Sequence, residues 1–192
     1  MMKQITLFFL ITLLLSCNDS NNCEEYYNNY ISLRFESKDE KATTLINKAI
    51  NCDKKNEDFR FEKVKFLIDL NKYAEAKQAL TDLGKINRSF KSELPLNGLL
   101  DLKIGGNKGN DELRKVFDNL SKVKYDKNNF NLFYYKLLTQ LYIKGKESTL
   151  NEIKRQNIYS SLNEKAGIEH LSNLINSEKD SLNILYEIFK IK

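Results

Sequence analysis

The 192-residue chain holds one proline, seven glycines, one histidine and no tryptophan. So little proline and glycine excludes collagen-like and linker-rich chains. It also argues against many-turned all-β architectures, which need those residues as punctuation. A single histidine, His170, cannot supply the histidine pair of a zincin site, and no two of the three cysteines stand at zinc-ligand spacing. What is present is ordinary for a globular domain: 41% hydrophobic, 30% charged and 11% aromatic residues, a composition that disordered chains do not reach. A chain of this length buries roughly 70% of its unfolded surface and needs neither metal nor a dense disulfide framework to fold. The composition therefore points to one mostly helical domain.

The N-terminal residues carry a separate signal. Lys3 precedes an apolar run, Ile5 to Leu15, interrupted only by Thr6 and Thr12. A spanning helix needs about 20 apolar residues, so this run reads as the apolar region of an export signal. It ends in Leu14-Leu15-Ser16-Cys17. Leucine three residues before the cysteine and a small residue just before it resemble the lipobox of bacterial lipoprotein signal peptides.

The resemblance implies a diacylglycerol-modified Cys17, cleavage after Ser16 and acylation of the new amine, commonly with palmitate. At about 0.8 kcal/mol per buried methylene, two or three chains hold a protein on a bilayer. The alternatives are a non-lipidated secretory signal or a weak anchor with Cys17 incidental. The expected organisation is a signal peptide at 1–16, a polar tether at 17–23 and a helical domain at 24–192. The tether has one acid, Asp19, and no acidic cluster. The expected location is the outer membrane of a Gram-negative bacterium, facing the periplasm.

Internal similarity appears at a step of 34 residues: Ala42 falls on Ala76, Ile46 on Leu80 and Ala49 on Leu83. Each set, spaced by four and three, makes one stripe on a helix. Five of the six alanines lie between Ala42 and Ala79, where small side chains let paired helices approach to about 8–10 Å. The segment Phe59 to Leu83, with Asn71-Lys72-Tyr73 as its turn, resembles a tetratricopeptide repeat through Tyr73, Ala76 and Leu80, and the clearest repeat spans 38–86. It departs from that family at Arg60 and Lys63, where an aromatic and a leucine are usual. It departs again at Lys54 and Arg88, where the family carries proline. The fold expected is all-α, with antiparallel helix pairs stacked as a short tetratricopeptide-like α-solenoid; a generic helical bundle is the alternative.

Helix signals continue along the chain. Tyr26 to Phe35 reads as the first helix. Ser37-Lys38-Asp39-Glu40 and Ser161-Leu162-Asn163-Glu164 have the form of a capping box, marking starts near 38 and 162. Apolar spacing resumes at Leu113 to Val123, Phe130 to Leu141, Ile168 to Ile175 and Leu182 to Phe189, for nine or ten helices in all. Gly105 to Asn110 lacks both the lysine-serine/threonine ending and the preceding strand of a phosphate loop, so it reads as an inter-helix connection. With Cys17 lipidated, Cys23 and Cys52 remain in an oxidising compartment. They stand at the two ends of the first hairpin, where a disulfide can form; two unbonded thiols are the alternative.

No catalytic residues, metal ligands or cofactor site emerge. Lysine outnumbers arginine 26 to 5 and is dispersed among acids, unlike the clustered arginines of nucleic-acid readers. Removing Lys3 with the signal takes the net charge from +5 to +4. What remains is binding. The tetratricopeptide resemblance implies a groove lined by the first helix of each pair, which assigns partner-contact positions to Tyr27, Ile31, Arg34, Phe61, Lys65 and Ile68. Aromatic and arginine side chains are the usual hot spots, although Tyr27 and Phe61 suit a core equally. The function expected is a membrane-anchored adaptor holding another envelope protein or peptide. Alternatives are an immunity or inhibitor lipoprotein that blocks a toxin or hydrolase, and a glycan-cleaving enzyme, which needs a carboxylate pair across a cleft. The sequence sets no oligomeric state.

Overall fold

The computed structural model describes residues 19–87, 94–126, 128–156 and 161–192. Ser16 and Cys17, the expected cleavage and lipidation positions, and Arg88 lie outside the described residues. Among those described there is no strand, and nine helices follow one another. They are α1 (Asp19–Phe35), α2 (Asp39–Cys52), α3 (Glu57–Asp69), α4 (Tyr73–Ile86), α5 (Leu96–Lys103), α6 (Gly109–Leu120), α7 (Phe130–Arg155), α8 (Leu162–Ile175) and α9 (Ser181–Ile188). The chain divides into two compact units, one ending at Lys63 and the other running from Val64 to Lys192. No described helix is long and apolar enough to cross a membrane.

In the first unit, α1 and α2 form an antiparallel hairpin. Helix α1 starts at Asp19, not at Tyr26, so residues expected to form a tether are already helical. The polar run before Tyr26 holds no proline or glycine to stop a helix. The turn after α1 also differs from its expected form. Ser37 adopts a left-handed backbone, φ 56°. The Lys38 N–H reaches Leu33 O at 3.0 Å and the Ser37 N–H reaches Arg34 O at 3.1 Å. These two bonds are a Schellman motif, which satisfies the last carbonyls of α1. Ser37 is thus the stop of one helix; Lys38 takes the N-cap position of α2 and no side chain caps it. On α2, Ala42, Ile46 and Ala49 are fully buried.

The second unit repeats that local geometry. Asn71 has φ 58°, with the Lys72 N–H on Leu67 O at 2.9 Å and the Asn71 N–H on Ile68 O at 2.9 Å. Lys72 is then the uncapped N-cap of α4. Helices α2 and α4 each have 14 residues, and each ends in an extended residue, Asp53 or Asn87, whose N–H bonds back to Ala49 or Leu83. Ala76, Leu80 and Leu83 are buried like their counterparts on α2.

From α4 onward, helices adjacent in sequence pack as successive antiparallel pairs, and α9 also packs on α7. The Gly105–Asn110 connection serves close packing. A Cβ placed at Gly109 would lie 2.6 Å from the Gly98 carbonyl oxygen, so α5 and α6 meet backbone to backbone. Buried Asp101 anchors the connection, accepting the Lys108 N–H at 2.8 Å and an ion pair from Lys77 of α4. At the far end, Ile191 is buried and the Tyr73 hydroxyl accepts the Lys192 N–H at 2.9 Å, tying the last residues to the start of α4. Helix α8 begins with the expected capping box: the Glu164 N–H reaches Ser161 Oγ at 3.2 Å, and Glu164 Oε2 accepts the Ser161 N–H at 3.0 Å.

Helix α7 is interrupted. Gly145 sits at φ 84°, ψ 178°, a region that only glycine occupies readily. Lys136 and Glu152 bond at 2.5 Å, yet sixteen residues of straight helix would hold them about 24 Å apart. The second arm, 146–155, therefore folds back alongside the first, 130–144.

Candidate functional site

The residues expected to face a partner separate by burial. In the first unit, Tyr27, Ile31, Arg34 and Phe61 are half-buried. In the second, Lys65 is exposed and Ile68 is buried at 4% exposure, so Ile68 offers a partner no surface. The repeat resemblance that assigns Ile68 to a partner surface does not record which face of α3 packs inward.

Tyr27 and Arg34 belong to one cluster. The Tyr27 ring stacks on buried Phe59, with centroids 4.9 Å apart. Arg34 forms an ion pair with buried Glu62, and its guanidinium lies 3.4 Å from the hydroxyl of fully buried Tyr30. Burial pushes the Tyr30 hydroxyl pKa up, and the Arg34 charge only partly offsets it. Burial also raises the Tyr27 pKa, helped by the nearby carboxylates of Glu62, Asp58 and Glu24. Both tyrosines therefore stay neutral hydroxyls. Arg60, which departs from the repeat pattern, donates to the Lys54 carbonyl at 3.0 and 2.7 Å. Its guanidinium fixes the loop between α2 and α3. Lys63, the other departure, donates to Asn47 of α2 at 2.8 Å.

Cys23 and Cys52 are joined by a disulfide with Cα atoms 5.4 Å apart, inside the usual range. It links the start of α1 to the end of α2 across a sequence separation of 29. His170 is exposed.

A second feature lies on α6 and α7. The two arms of α7 and the end of α6 border an open, solvent-facing cleft of about 730 Å³. On its wall, Glu152 is held between Lys136 and Arg155, at 2.5 and 2.6 Å. Burial raises the Glu152 pKa, but the hydrogen bonds and charges of Lys136 and Arg155 outweigh it and hold the carboxyl below the usual range. Gln140, 5% exposed, donates to Ser148 O at 2.9 Å and to Ser148 Oγ at 3.1 Å. The Lys144 ammonium lies 4.9 Å above the Phe117 ring. The one sequence signal for this cleft is Gly145, isolated within a helical pattern and midway between Lys136 and Glu152. Among the described residues no group of His, Cys, Asp and Glu is placed to hold a metal ion.

No known protein family, curated protein or solved structure matches the chain.

Proposed function

We propose that the protein is a lipid-anchored envelope adaptor whose tetratricopeptide-like helix pairs hold another envelope protein or peptide. The observation that carries this reading is the recurrence at 34 residues. Ser37 and Asn71 share a left-handed turn, and Ala42, Ile46 and Ala49 share burial with Ala76, Leu80 and Leu83. Stacked helix pairs of this kind present extended surfaces suited to binding. Here the surface is the α1 face with Tyr27, Ile31 and Arg34, which combines an aromatic ring and a guanidinium, the side chains that dominate interface energetics. The anchor rests on Leu14-Leu15-Ser16-Cys17.

Two measurements test the reading. Metabolic labelling with palmitate should mark the protein, and Cys17→Ala should abolish the label; labelling that survives the substitution removes the anchor. Co-purification from detergent-solubilised membranes should retain a partner with the native chain but not with Cys17→Ala. Retention of nothing beyond that control removes the adaptor.

A further inference from the structure

The cleft of the second unit has the chemistry of a ligand site, and it stands independently of the lipid anchor and of the α1 surface. Gln140 is more than nine-tenths buried. Both its hydrogen bonds among the described residues use Nε2, and Oε1 meets no donor among them. Around this acceptor the cleft carries Lys144, Glu147 and Asn151. The exposed Lys144 ammonium lies over the Phe117 ring and makes no ion pair among the described residues. Glu147 has no cationic partner among the described residues, and Asn151 makes no hydrogen bond to any of them.

The lining holds three cations, Lys136, Lys144 and Arg155, against the carboxylates Glu147 and Glu152. That surplus of one cation matches a singly charged carboxylate more closely than a phosphate dianion, which the two carboxylates repel about twice as strongly. Gln140 Oε1 and the exposed Glu147 carboxylate and Asn151 carbonyl can each accept a hydrogen bond from a ligand, and a peptide backbone supplies N–H groups beside a carboxylate side chain. The one aromatic face, Phe117, is covered by Lys144, so a sugar ring has no platform to stack on. The volume lies within the range of sites for small ligands.

We propose that this cleft binds a short acidic peptide segment, its carboxylate at Lys144 and its backbone N–H groups at Gln140 Oε1 and Glu147. The probe is acetyl-Ala-Glu-Ala-amide, titrated calorimetrically into the full chain purified in detergent. The glutamine peptide acetyl-Ala-Gln-Ala-amide and glucuronate serve as comparisons. Saturable binding of the glutamate peptide is expected, weakened at least tenfold in Lys144→Gln and in the glutamine peptide. Asn151→Ala, an exposed position, provides a second variant and should weaken binding several-fold with an unchanged melting temperature. Absence of saturable binding overturns the proposal. So does equal affinity for the glutamine peptide, tighter binding of glucuronate, or undiminished binding in both variants.

Discussion

Ser37 and Asn71, 34 residues apart, hold the same left-handed backbone at the same place in two turns, φ 56° and 58°. A left-handed non-glycine residue costs roughly 1–2 kcal/mol, and asparagine bears it more easily than serine. Ser37→Gly should therefore stabilise the first hairpin by about 0.5–1 kcal/mol, and Asn71→Gly should change the second unit less. Denaturant midpoints of the two variants check this; a Ser37→Gly protein less stable than the native one contradicts it.

The disulfide acts on the same hairpin. Closing a loop of this length contributes about 3–4 kcal/mol in the chain-entropy account. Replacing Cys23 and Cys52 by serine should lower the stability of the first unit by that order. It should leave untouched the hydrogen-exchange protection of buried helix residues such as Leu137 and Leu171. Titration of the denatured, unreduced protein should find neither Cys23 nor Cys52 reactive.

Asp101 makes the second unit acid-sensitive. The Lys77 hydrogen bond holds its carboxyl below the ordinary range, against the opposing effect of burial and with help from the Lys108 N–H. A carboxylate depressed in the folded state stabilises it above the unfolded pKa of about 4, and that contribution is lost as pH falls through the lower folded value. Melting temperature measured from pH 6 down to pH 2 should drop below about pH 4. Asp101→Asn should flatten that drop while costing roughly 2–3 kcal/mol at neutral pH, because Lys77 loses its charge partner.

Much of the fold is legible because it rests on local patterns. The stripes Ala42-Ile46-Ala49 and Ala76-Leu80-Leu83 state their burial in their spacing, and Ser161 with Glu164 states a helix start in four residues. Placement of Cys23 and Cys52 at the two hairpin ends allows either a bond or two thiols, and the disulfide is the one that forms. Ser37 was misread because serine followed three residues later by glutamate fits a capping box. Its left-handed backbone depends on how the α1 carbonyls are satisfied, which one sequence does not display. The α7 cleft was illegible for a related reason. Lys136, Gln140, Ser148 and Glu152 meet only because Gly145 reverses the helix, and a single glycine in a helical pattern more often passes unnoticed.

That reversal can be tested directly. Gly145→Ala forces a side chain into a backbone region reserved for glycine and should cost about 1–3 kcal/mol. Glu152→Gln, which leaves half-buried Lys136 without its carboxylate, should cost roughly 2–3 kcal/mol. Paired with Lys136→Met, the loss should shrink to a fraction of that. Equal losses in the single and double variants contradict the ion pair as the clasp between the arms.

The adaptor reading depends on the α1 surface meeting a partner, and site-specific photo-crosslinking in intact cells examines that contact. A benzophenone amino acid replaces Tyr27, whose half-buried ring it mimics, and in a parallel strain replaces exposed His170 of the second unit. The account predicts one discrete protein adduct from position 27 and none from position 170. No adduct at 27, or the same adducts from both positions, would contradict it.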